Sequence, residues 1–536
     1  MECNVEIALR NFWRVLCHKV SRYQTLECKS NFYIEAWLYT SIFKAQAAMY
    51  SILPFPGPLT LETSRLPSRV LKLSESFPGM IHLIEPAPGQ FDCYFALSHR
   101  WGASKELLLT RKTLKTLKNG ILAQLLPRTF QDAVKVTNQF GCSYLWIDSL
   151  CILQDDIDDW LRESTLMANV YRQATCVIAA HSAQDDNEGF LSASRSSFLQ
   201  AHTGQSYTGF HQLVNESGLS RRGWVFQERI LSKRMLHFTS HHLFLEDASG
   251  INLVQKEGLV RLSGDLPKDN KLNVEDAFHN PAQWYMLVER YSHCELTCDI
   301  DRLPAITGLA RVFKEMSGSS RFIFGLWRES LHVGLLWIQT ARYPSRLRDA
   351  YRAGWRCPSW SWAAWKGSVG FPLCVDVLES CIIPLQDRQF QQDIMMLENL
   401  GPQNPMLEIA GKLRMLSDVQ VICEATAEGA ERFGDRRCGF VSTVPKMHGL
   451  AFFDGLYRGD KRRFERIWLL LIAKRYDKRP LVDEDTEMVI YQRSSTYYYL
   501  ILEQADKPGV YRRIGTGSRS GANFWGKADR TAVLII

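Results

Sequence analysis

The sequence lacks an apolar run long enough to cross a membrane. The longest obvious run, Ile467–Ala473, falls far short of the roughly 20 residues that a membrane-spanning helix requires. The N-terminal segment carries Glu2 and Glu6 and has no continuous apolar stretch before a small-residue cleavage site, which is unlike a secretory signal. We therefore expect a cytoplasmic protein with no membrane span.

A strong charge of either sign is also missing. The 64 basic and 57 acidic residues leave a net charge of +7 at pH 7, which is small for a chain of 536 residues. Proteins that bind nucleic acid usually concentrate basic charge on one face. The sequence therefore predicts no nucleic acid as an obligatory partner.

The 14 cysteines lack the dense, regular spacing that frames a secreted disulfide-rich protein. Several lie in apolar stretches, where reduced cysteine packs as a small hydrophobe. His293, Cys294 and Cys298 offer soft metal ligands, but no second pair at zinc-finger spacing follows them. We expect reduced thiols and no metal site.

The chain does have enough apolar sequence for several folded domains. It is 46% hydrophobic and 11% aromatic, and a domain typically takes about 100–200 residues. The Pro-rich segment Pro54–Pro58 stops any helix and is typical of a linker or turn. We predict four regions: an N-terminal helical extension with a linker (1–85), an α/β domain (86–250), a helical region (251–350) and a β-rich C-terminal region (351–536).

The α/β domain begins with alternating strand and helix patterns. The apolar runs Tyr94–Ser98, Tyr144–Ile147 and Cys176–Ala180 predict strands, and amphipathic stretches near Thr129 and Asp158 predict helices between them. Strands that are apolar throughout are typical of a parallel sheet with helices on both faces. Because such sheets bind ligands beyond the carboxyl ends of their strands, the polar residues that follow these strands are site candidates. They are Ser98, His99, Arg100, Asp148, Ser149, His181 and Ser182.

Cap and turn signals add local predictions. Thr129 with Asp132 three residues later resembles a capping box, and Asp158 or Asp159 can cap the next helix. Residues 190–220 are rich in Ser, Gly, Thr and Gln and predict a long loop. The other predicted elements are strands at 235–238, 243–245 and 358–362 and helices at 284–291, 303–313 and 325–337.

Five motifs follow one another along the chain: YFALSHRWG (94–102), LPRTFQDAVKVTNQFGCSYLWIDSLCILQDDIDDW (126–160), MANVYRQATCVIAA (167–180), RGWVFQERILSKRMLHF (222–238) and PSWSW (358–362). In this order they resemble the fungal HET-domain, or heterokaryon-incompatibility, family. The sequence departs from the family's pattern at His99, where an aromatic residue is common. The resemblance covers about 90–250 as the domain itself, and DRLPAITGLA (301–310) resembles part of the region that follows it in such proteins.

The resemblance implies a function in allorecognition and in cell death after unlike cells fuse. The family's domain has been compared with the Toll/interleukin-receptor (TIR) fold, a doubly wound and mainly parallel α/β fold, and the alternation of strands and helices fits that comparison. TIR-like domains that cleave NAD carry a Trp followed four residues later by a Glu near the sheet edge, and Trp224 and Glu228 have this spacing. The implied activity is that of an NAD glycohydrolase, with NAD as substrate and no cofactor.

A single carboxylate suits the cleavage of NAD. Breaking the bond between nicotinamide and ribose builds oxocarbenium-like positive charge, which Glu228 as the catalytic residue can stabilise. Trp224 shares a helix face with Glu228, Arg100 can bind phosphate, and Trp101 can stack on a base. Gly102 allows close approach of the backbone. The substrate-binding candidates are Ser98, His99, Arg100, Trp101, Gly102, Asp148 and Trp224.

Other interpretations stay open. Glu228 can instead lie on the helix surface or pair with a neighbouring arginine, and Trp224 can be a core residue. Asp148 can cap the turn that follows it. Cys151 with a nearby imidazole can form a cysteine hydrolase, although its apolar neighbours favour a buried thiol. The domain can also be a non-catalytic module that self-associates or binds a protein partner.

Overall fold

The computed structural model divides the chain into two compact units. Unit 1 comprises residues up to 221 together with 228–272, and unit 2 comprises 222–227 together with 273–536. The domain boundaries proposed from the sequence stay predictions, and the predicted N-terminal helix and Pro54–Pro58 linker lie outside the described residues. The structure describes residues 62–74, 79–102, 107–191, 207–255, 258–262, 281–317, 321–341, 345–347, 357–371, 378–385, 406–423, 438–442, 448–455, 461–482, 489–520, 524–526 and 528–536.

Unit 1 is built on short strands that pair into one large sheet and one small one. The strands within its described residues are β1 (Ser64–Arg65), β2 (Val70–Leu73), β3 (Met80–Ile84), β4 (Phe91–Asp92), β5 (Phe95–Ser98), β6 (Ile121–Leu122), β7 (Tyr144–Trp146), β8 (Cys176–Ala180), β9 (Arg234–Phe238), β10 (Leu243–Asp247), β11 (Gly250–Gln255) and β12 (Gly258–Arg261). The large sheet has ten strands in the order β12-β11-β10-β9-β8-β5-β7-β2-β3-β6, and β1 pairs with β4 separately.

The centre of the large sheet is parallel. β5 pairs in parallel with β7 and with β8, and β8 pairs in parallel with β9. Every residue of β5, β7 and β8 is buried, as expected for parallel strands whose two faces are both covered. The continuous apolar runs in the sequence therefore predicted these three strands and their parallel arrangement correctly.

The prediction of a mainly parallel sheet is wrong. Antiparallel strands flank the parallel centre on both sides, with β10, β11 and β12 at one side and β2, β3 and β6 at the other. β2 and β3 precede residue 86 and were not predicted as strands. Short apolar runs such as VLKL in β2 do not encode the direction in which they will pair. The architecture is mixed α/β, and the comparison with a TIR-like fold stays a hypothesis.

Helices connect the central strands. They are α1 (Leu114–Asn119), α2 (Arg128–Gln139), α3 (Asp148–Cys151), α4 (Ile157–Gln173), α5 (Tyr207–Phe210), which continues as a π-helical turn at His211–Asn215, and α6 (Gly223–Leu231), with a 3₁₀ turn at Ala123–Leu125. α4 is held on the sheet by aromatic hydroxyls, since Tyr94 donates to the Val170 carbonyl oxygen at 2.6 Å and Tyr171 donates to that of Leu97 at 3.1 Å.

The predicted helix caps are wrong, although the helices themselves are confirmed. Pro127 precedes α2, and Thr129 lies buried inside it, donating to the Asp185 carbonyl oxygen at 2.8 Å. Asp132 does not reach back to the start of its helix. Its Oδ2 accepts hydrogen bonds from the backbone N–H groups of Phe190 and Leu191. These polar side chains of α2 are used to hold the segment that follows β8.

The cap of α4 lies two residues before the earlier of the two predicted positions. Asp156, not Asp158 or Asp159, precedes the helix, and its side chain accepts from the backbone N–H groups of both later aspartates. Asp159 is buried instead, where it pairs with Arg69. The predicted loop at 190–220 is wrong over 207–215, which are helical, and residues 192–206 lie outside the described part. Among the described residues, no helix is both long and apolar enough to cross a membrane.

Unit 2 contains helices followed by strands, as the sequence predicts. Its helices are α7 (Pro281–Ser292), α8 (Pro304–Ser317) and α9 (Leu331–Gly334), with 3₁₀ turns at Asp299–Arg302, Arg328–Ser330 and Trp362–Ala364. Its strands are β13 (Phe322–Ile323), β14 (Leu326–Trp327), β15 (Ile338–Gln339), β16 (Ser345–Arg346), β17 (Trp365–Lys366), β18 (Val369–Gly370), β19 (Glu379–Ser380), β20 (Ile383–Pro384), β21 (Leu407–Cys423), β22 (Cys438–Ser442), β23 (His448–Phe453), β24 (Lys461–Val482), β25 (Val489–Gln504), β26 (Val510–Ser520) and β27 (Arg530–Ile535).

Two predicted elements of unit 2 are wrong. The stretch 325–337 is not one helix, because Phe324 and Gly325 both have positive φ and turn the chain from β13 into β14. A Cβ on Gly325 would lie 2.5 Å from Trp362 Nε1, so only glycine fits there. The segment at 358–362 is a turn that leads into a 3₁₀ turn rather than a strand, and Trp360 and Trp362 are both buried.

The β-rich C-terminal region is confirmed. β21 pairs with β22 and also with β24, so that the sheet closes on itself through β25, β26 and β23. Arg513 of β26 is fully buried and binds both oxygens of Asp454 at 3.1 Å. It also donates to the carbonyl oxygens of Leu335 and Trp337. These contacts join the sheet to the helical part of the same unit.

Candidate functional site

The carboxyl ends of the parallel strands bring the predicted polar residues to one edge of unit 1. β5 ends at Ser98, which pairs in register with Ala179 of β8, and Ala96 pairs with Trp146 of β7. Because these strands run in the same direction, the residues that follow each of them emerge at the same edge. This placement confirms that the segments after β5, β7 and β8 are neighbours.

Four side chains at this edge form a polar cluster, which we call the rim cluster: His99, Trp101, Asp148 and Asp186. Trp101 Nε1 donates to Asp148 Oδ2 at 2.8 Å. His99 lies between the two carboxylates, with Nδ1 3.8 Å from Asp148 Oδ1 and Nε2 3.1 Å from Asp186 Oδ1. The structure therefore brings together three of the residues predicted from the sequence and adds Asp186, which sequence reasoning missed.

The members of the rim cluster are shielded from water to different degrees, with Trp101 and Asp148 partly exposed and His99 and Asp186 buried. The His99 side chain is only 1% exposed and packs edge-on against Phe130 at 5.1 Å, whereas the Asp148 and Asp186 side chains are 18% and 13% exposed. Asp148 also begins α3, and its Oδ1 accepts from the backbone N–H of Ser149 at 2.7 Å. The N-cap of α3 is Ile147, so the interpretation of Asp148 as a cap is not confirmed, and the Asp148 carboxylate binds the N–H of the next residue and the indole of Trp101 instead. Asp148 is the more open of the two carboxylates, since Asp186 as a whole residue is only 9% exposed and its Oδ1 is buried.

The remaining residues of the segment after β5 have different surroundings. Arg100 donates to Gln184 Oε1, and its guanidinium lies against Gly218, where an added Cβ would be 2.6 Å from Nη1. Gly102 is also too close to its neighbours for a side chain, because an added Cβ would be 2.8 Å from the Asp185 Cβ. Ser98 is buried, and its hydroxyl has no hydrogen-bond partner within the described residues. Ser98 is thus set back from the two carboxylates.

The predicted pair on α6 falls into different units. Trp224 belongs to unit 2, where its Nε1 donates to Asp301 Oδ2 at 3.2 Å. Glu228 belongs to unit 1 and is buried, with 5% of its surface exposed, so the interpretation of Glu228 as a helix-surface residue is wrong. The next residue, Arg229, binds Glu246. The catalytic role of Glu228 and the substrate-binding role of Trp224 stay predictions.

His181, which follows β8, belongs to a second polar network. Its Nδ1 lies 2.8 Å from Ser217 Oγ and its Nε2 lies 2.9 Å from His237 Nδ1. His237 Nε2 in turn lies 3.0 Å from Glu246 Oε2. Sequence reasoning placed His181 at the sheet edge but missed its partners. Polar residues inside the buried strands β9 and β10 were the available signal, since an unpaired buried charge is costly.

The structure supports neither a cysteine hydrolase at Cys151 nor a metal site among the described residues. Cys151 is fully buried, and burial raises the pKa of its thiol to about 12, so it stays protonated and is a poor nucleophile at neutral pH. Within the described part of the chain, no group of three or more His, Cys, Asp and Glu side chains is placed to hold a metal ion.

Residues 94–228 match the family described as Heterokaryon incompatibility protein (HET). The matched range begins one residue before β5, spans the rim cluster and ends at Glu228 in α6. No curated protein and no solved structure matches the chain. The family match suggests a function of the heterokaryon-incompatibility type for this part of the molecule.

Proposed function

We propose that this chain acts in allorecognition or cell-death signalling by hydrolysing NAD at the bond between nicotinamide and ribose, with Glu228 as the catalytic carboxylate. The observation that carries the proposal is the rim cluster, which gathers two carboxylates, 18% and 13% exposed, and an indole beyond the parallel centre of the sheet. Open α/β sheets bind their ligands at this edge. The cluster lies within the range that matches the HET family.

The side chains of the rim cluster suit a nucleotide that carries ribose. Carboxylate oxygens accept hydrogen bonds from ribose hydroxyls, and Asp148 and Asp186 both have exposed surface for this. Trp101 is fixed by Asp148, and an ordered indole can pack against a base or a nicotinamide ring. Arg100 adds a guanidinium for phosphate, a group that it can bind through two hydrogen bonds.

The reaction requires stabilisation of positive charge more than proton transfer. The glycosidic C–N bond breaks with both electrons going to nicotinamide, which leaves as a neutral ring. Water then adds to the ribose carbon and releases one proton, which gives ADP-ribose, nicotinamide and H⁺. A carboxylate beside the ribose stabilises the oxocarbenium-like transition state, and its effect is larger in a buried setting where water does not screen it. The burial of Glu228 supports this role.

The test is release of nicotinamide from NAD by the full-length protein, followed by chromatography. Glu228→Gln keeps the shape of the side chain and removes its charge. Glu85→Gln is a matched control, because Glu85 is an exposed glutamate of unit 1 that pairs only at the surface with Lys118. Protein concentration is varied over a wide range, and the assembled state is measured at each concentration.

We expect turnover in the wild type and in Glu85→Gln, and a loss of about 100-fold or more in Glu228→Gln, as for the removal of one transition-state contact. Equal rates in wild type and Glu228→Gln would reject Glu228 as the catalytic residue. Absence of turnover in the wild type at every concentration, with assembly verified, would favour the alternative of a non-catalytic module that self-associates or binds a partner.

A further inference from the structure

A continuous chain of hydrogen bonds leads from a half-buried serine into the core of unit 1. We call it the Ser217 relay, and it consists of Ser217, His181, His237 and Glu246. The three links measure 2.8 Å, 2.9 Å and 3.0 Å, which are ordinary hydrogen-bond distances. His237 and Glu246 are completely shielded from water, whereas Ser217 keeps part of its surface exposed.

The buried end of the relay, Glu246, determines which atom donates in each of its hydrogen bonds. Arg229 binds both oxygens of Glu246, with Nε 2.8 Å from Oε2 and Nη2 3.1 Å from Oε1, so Glu246 is an ionised acceptor. His237 must then donate its Nε2 proton to Glu246 and accept at Nδ1. His181 must donate from Nε2 and accept at Nδ1. Among the described residues, the group left to donate to His181 Nδ1 is the hydroxyl of Ser217.

The electrostatics agree with this direction. Burial alone would raise the pKa of Glu246, but the Arg229 guanidinium and the hydrogen bond from His237 outweigh it and hold that pKa well below its usual range. Burial, together with the positive charge that His237 and Arg229 can carry, lowers the pKa of His181 well below its ordinary value. His181 is therefore a neutral imidazole with a free electron pair on Nδ1, facing Ser217.

The hydroxyl of Ser217 is also held in place from the other side. The backbone N–H of Ser220 donates to Ser217 Oγ at 3.1 Å, which leaves the hydroxyl proton directed at His181. A hydroxyl that is bonded to an imidazole, which is itself oriented by a further group ending in a carboxylate, is the recurrent arrangement of an activated serine nucleophile.

We propose that Ser217 is the nucleophile of a second activity, acyl transfer, which takes a carboxylic ester as its substrate and shares Arg100 with the NAD site proposed above. Ser217 Oγ forms a bond to the acyl carbon while its proton passes to His181 Nδ1. The bond from the acyl carbon to the alcohol oxygen then breaks, and the alcohol leaves with that proton. Water attacks the acyl-serine in the same way, which gives a carboxylic acid and restores the Ser217 hydroxyl.

The neighbourhood of Ser217 indicates the kind of ester. The Arg100 guanidinium lies directly against Gly218, the residue that follows Ser217, and an added Cβ on Gly218 would be 2.6 Å from Nη1. A positive charge this near the nucleophile favours an acyl group that carries a carboxylate. We therefore expect an anionic ester to react faster than a neutral one.

The first experiment uses a fluorophosphonate probe, which forms a bond with activated serines, on the full-length protein. We expect labelling of the wild type, with the labelled peptide containing Ser217, and no labelling of Ser217→Ala. Ser164→Ala is the matched control, because Ser164 is a part-buried serine of unit 1 whose hydroxyl donates to the Leu161 carbonyl oxygen at 3.0 Å, outside the relay, and it should label like the wild type. His181→Gln should label about 100-fold more slowly or worse, as expected when a general base is removed.

The second experiment compares hydrolysis of p-nitrophenyl acetate with that of p-nitrophenyl hydrogen succinate. We expect a higher kcat/KM for the succinate ester, and loss of both activities in Ser217→Ala. Absence of probe labelling in wild-type protein with a native circular dichroism spectrum would overturn the proposal, as would equal labelling of the wild type and Ser217→Ala. These results do not depend on NAD turnover, so the two proposed activities can fail separately.

Discussion

Removing the His181 imidazole should change how the stability of unit 1 depends on pH. His181 has a pKa well below its ordinary value in the folded chain, because it is buried and faces His237 and Arg229 with Glu246 beyond them. In the unfolded chain it titrates near 6.5. The unfolded state therefore binds more protons below that pH, so this contribution to stability is present above about pH 6.5 and is lost as the pH falls.

The size of the effect follows from linkage. A histidine that stays neutral when folded and titrates near 6.5 when unfolded costs about 2 kcal/mol of stability between pH 7 and pH 5, or roughly a 25-fold change in the opening equilibrium. Carboxylates add little in this window, because their unfolded pKa values lie near 4. His181→Gln should abolish this part of the pH dependence, whatever its effect on stability at pH 7.

Hydrogen–deuterium exchange of peptides from β8 and β9 measures the effect in unit 1 alone. After correction for intrinsic exchange rates, the wild type should lose protection between pH 7 and pH 5 by more than His181→Gln does. The same loss of protection in both proteins would mean that His181 takes up a proton as readily when folded as when unfolded. The direction assigned to the Ser217 relay would then be incorrect.

Three further predictions concern contacts elsewhere in the described structure. Arg513→Met should destabilise unit 2 by about 3–5 kcal/mol in urea unfolding, because it leaves Asp454 buried without its cation, and adding Asp454→Asn should recover part of the loss. Asp132→Ala should lower the free energy of unfolding by on the order of 3 kcal/mol, because two backbone N–H groups lose a charged acceptor. Asp132→Asn should lower it by less, and equal losses in the two variants would contradict this reasoning. In the folded protein, iodoacetamide should label the exposed Cys298 but not Cys151, and in urea it should label both, as measured by mass spectrometry. Labelling of Cys151 in the folded protein would contradict its burial.

The sequence could predict the parallel centre of the sheet because its strands are apolar throughout. That pattern arises only where both faces are covered, so β5, β7 and β8 were identifiable within a residue of their observed bounds. The flanking strands were harder. β2 and β3 follow a Pro-rich segment and are only four and five residues long, and the direction of their pairing depends on contacts with distant parts of the chain.

Local sequence patterns gave wrong predictions where a side chain binds a residue that is distant in the sequence. Thr129 and Asp132 have the spacing of a capping box, but both bind backbone groups of residues 185–191, more than 50 positions away. The alternating tryptophans at 358–362 have the spacing of a strand, yet they pack from a turn in which Ser361 accepts from the Ala363 N–H and donates to the Phe324 carbonyl oxygen. Spacing alone does not distinguish these cases.

The candidate site was predictable in part for the same reason. Residues directly after the parallel strands, such as Trp101 and Asp148, had to meet at one edge, and they do. Asp186 and Ser217 come from connecting segments, and His237 comes from β9, whose place beside β8 follows from the whole fold. His237 and Glu246 lie two residues apart in register across β9 and β10, a relation that appears only once the pairing is known.

The most direct test of the central claim is the ratio of nicotinamide release by the wild type to that by Glu228→Gln, measured on full-length protein at concentrations where it is assembled. Hydrolysis of NAD that depends on the Glu228 charge predicts a ratio of about 100 or more. A ratio near one, or no nicotinamide from either protein, would contradict it.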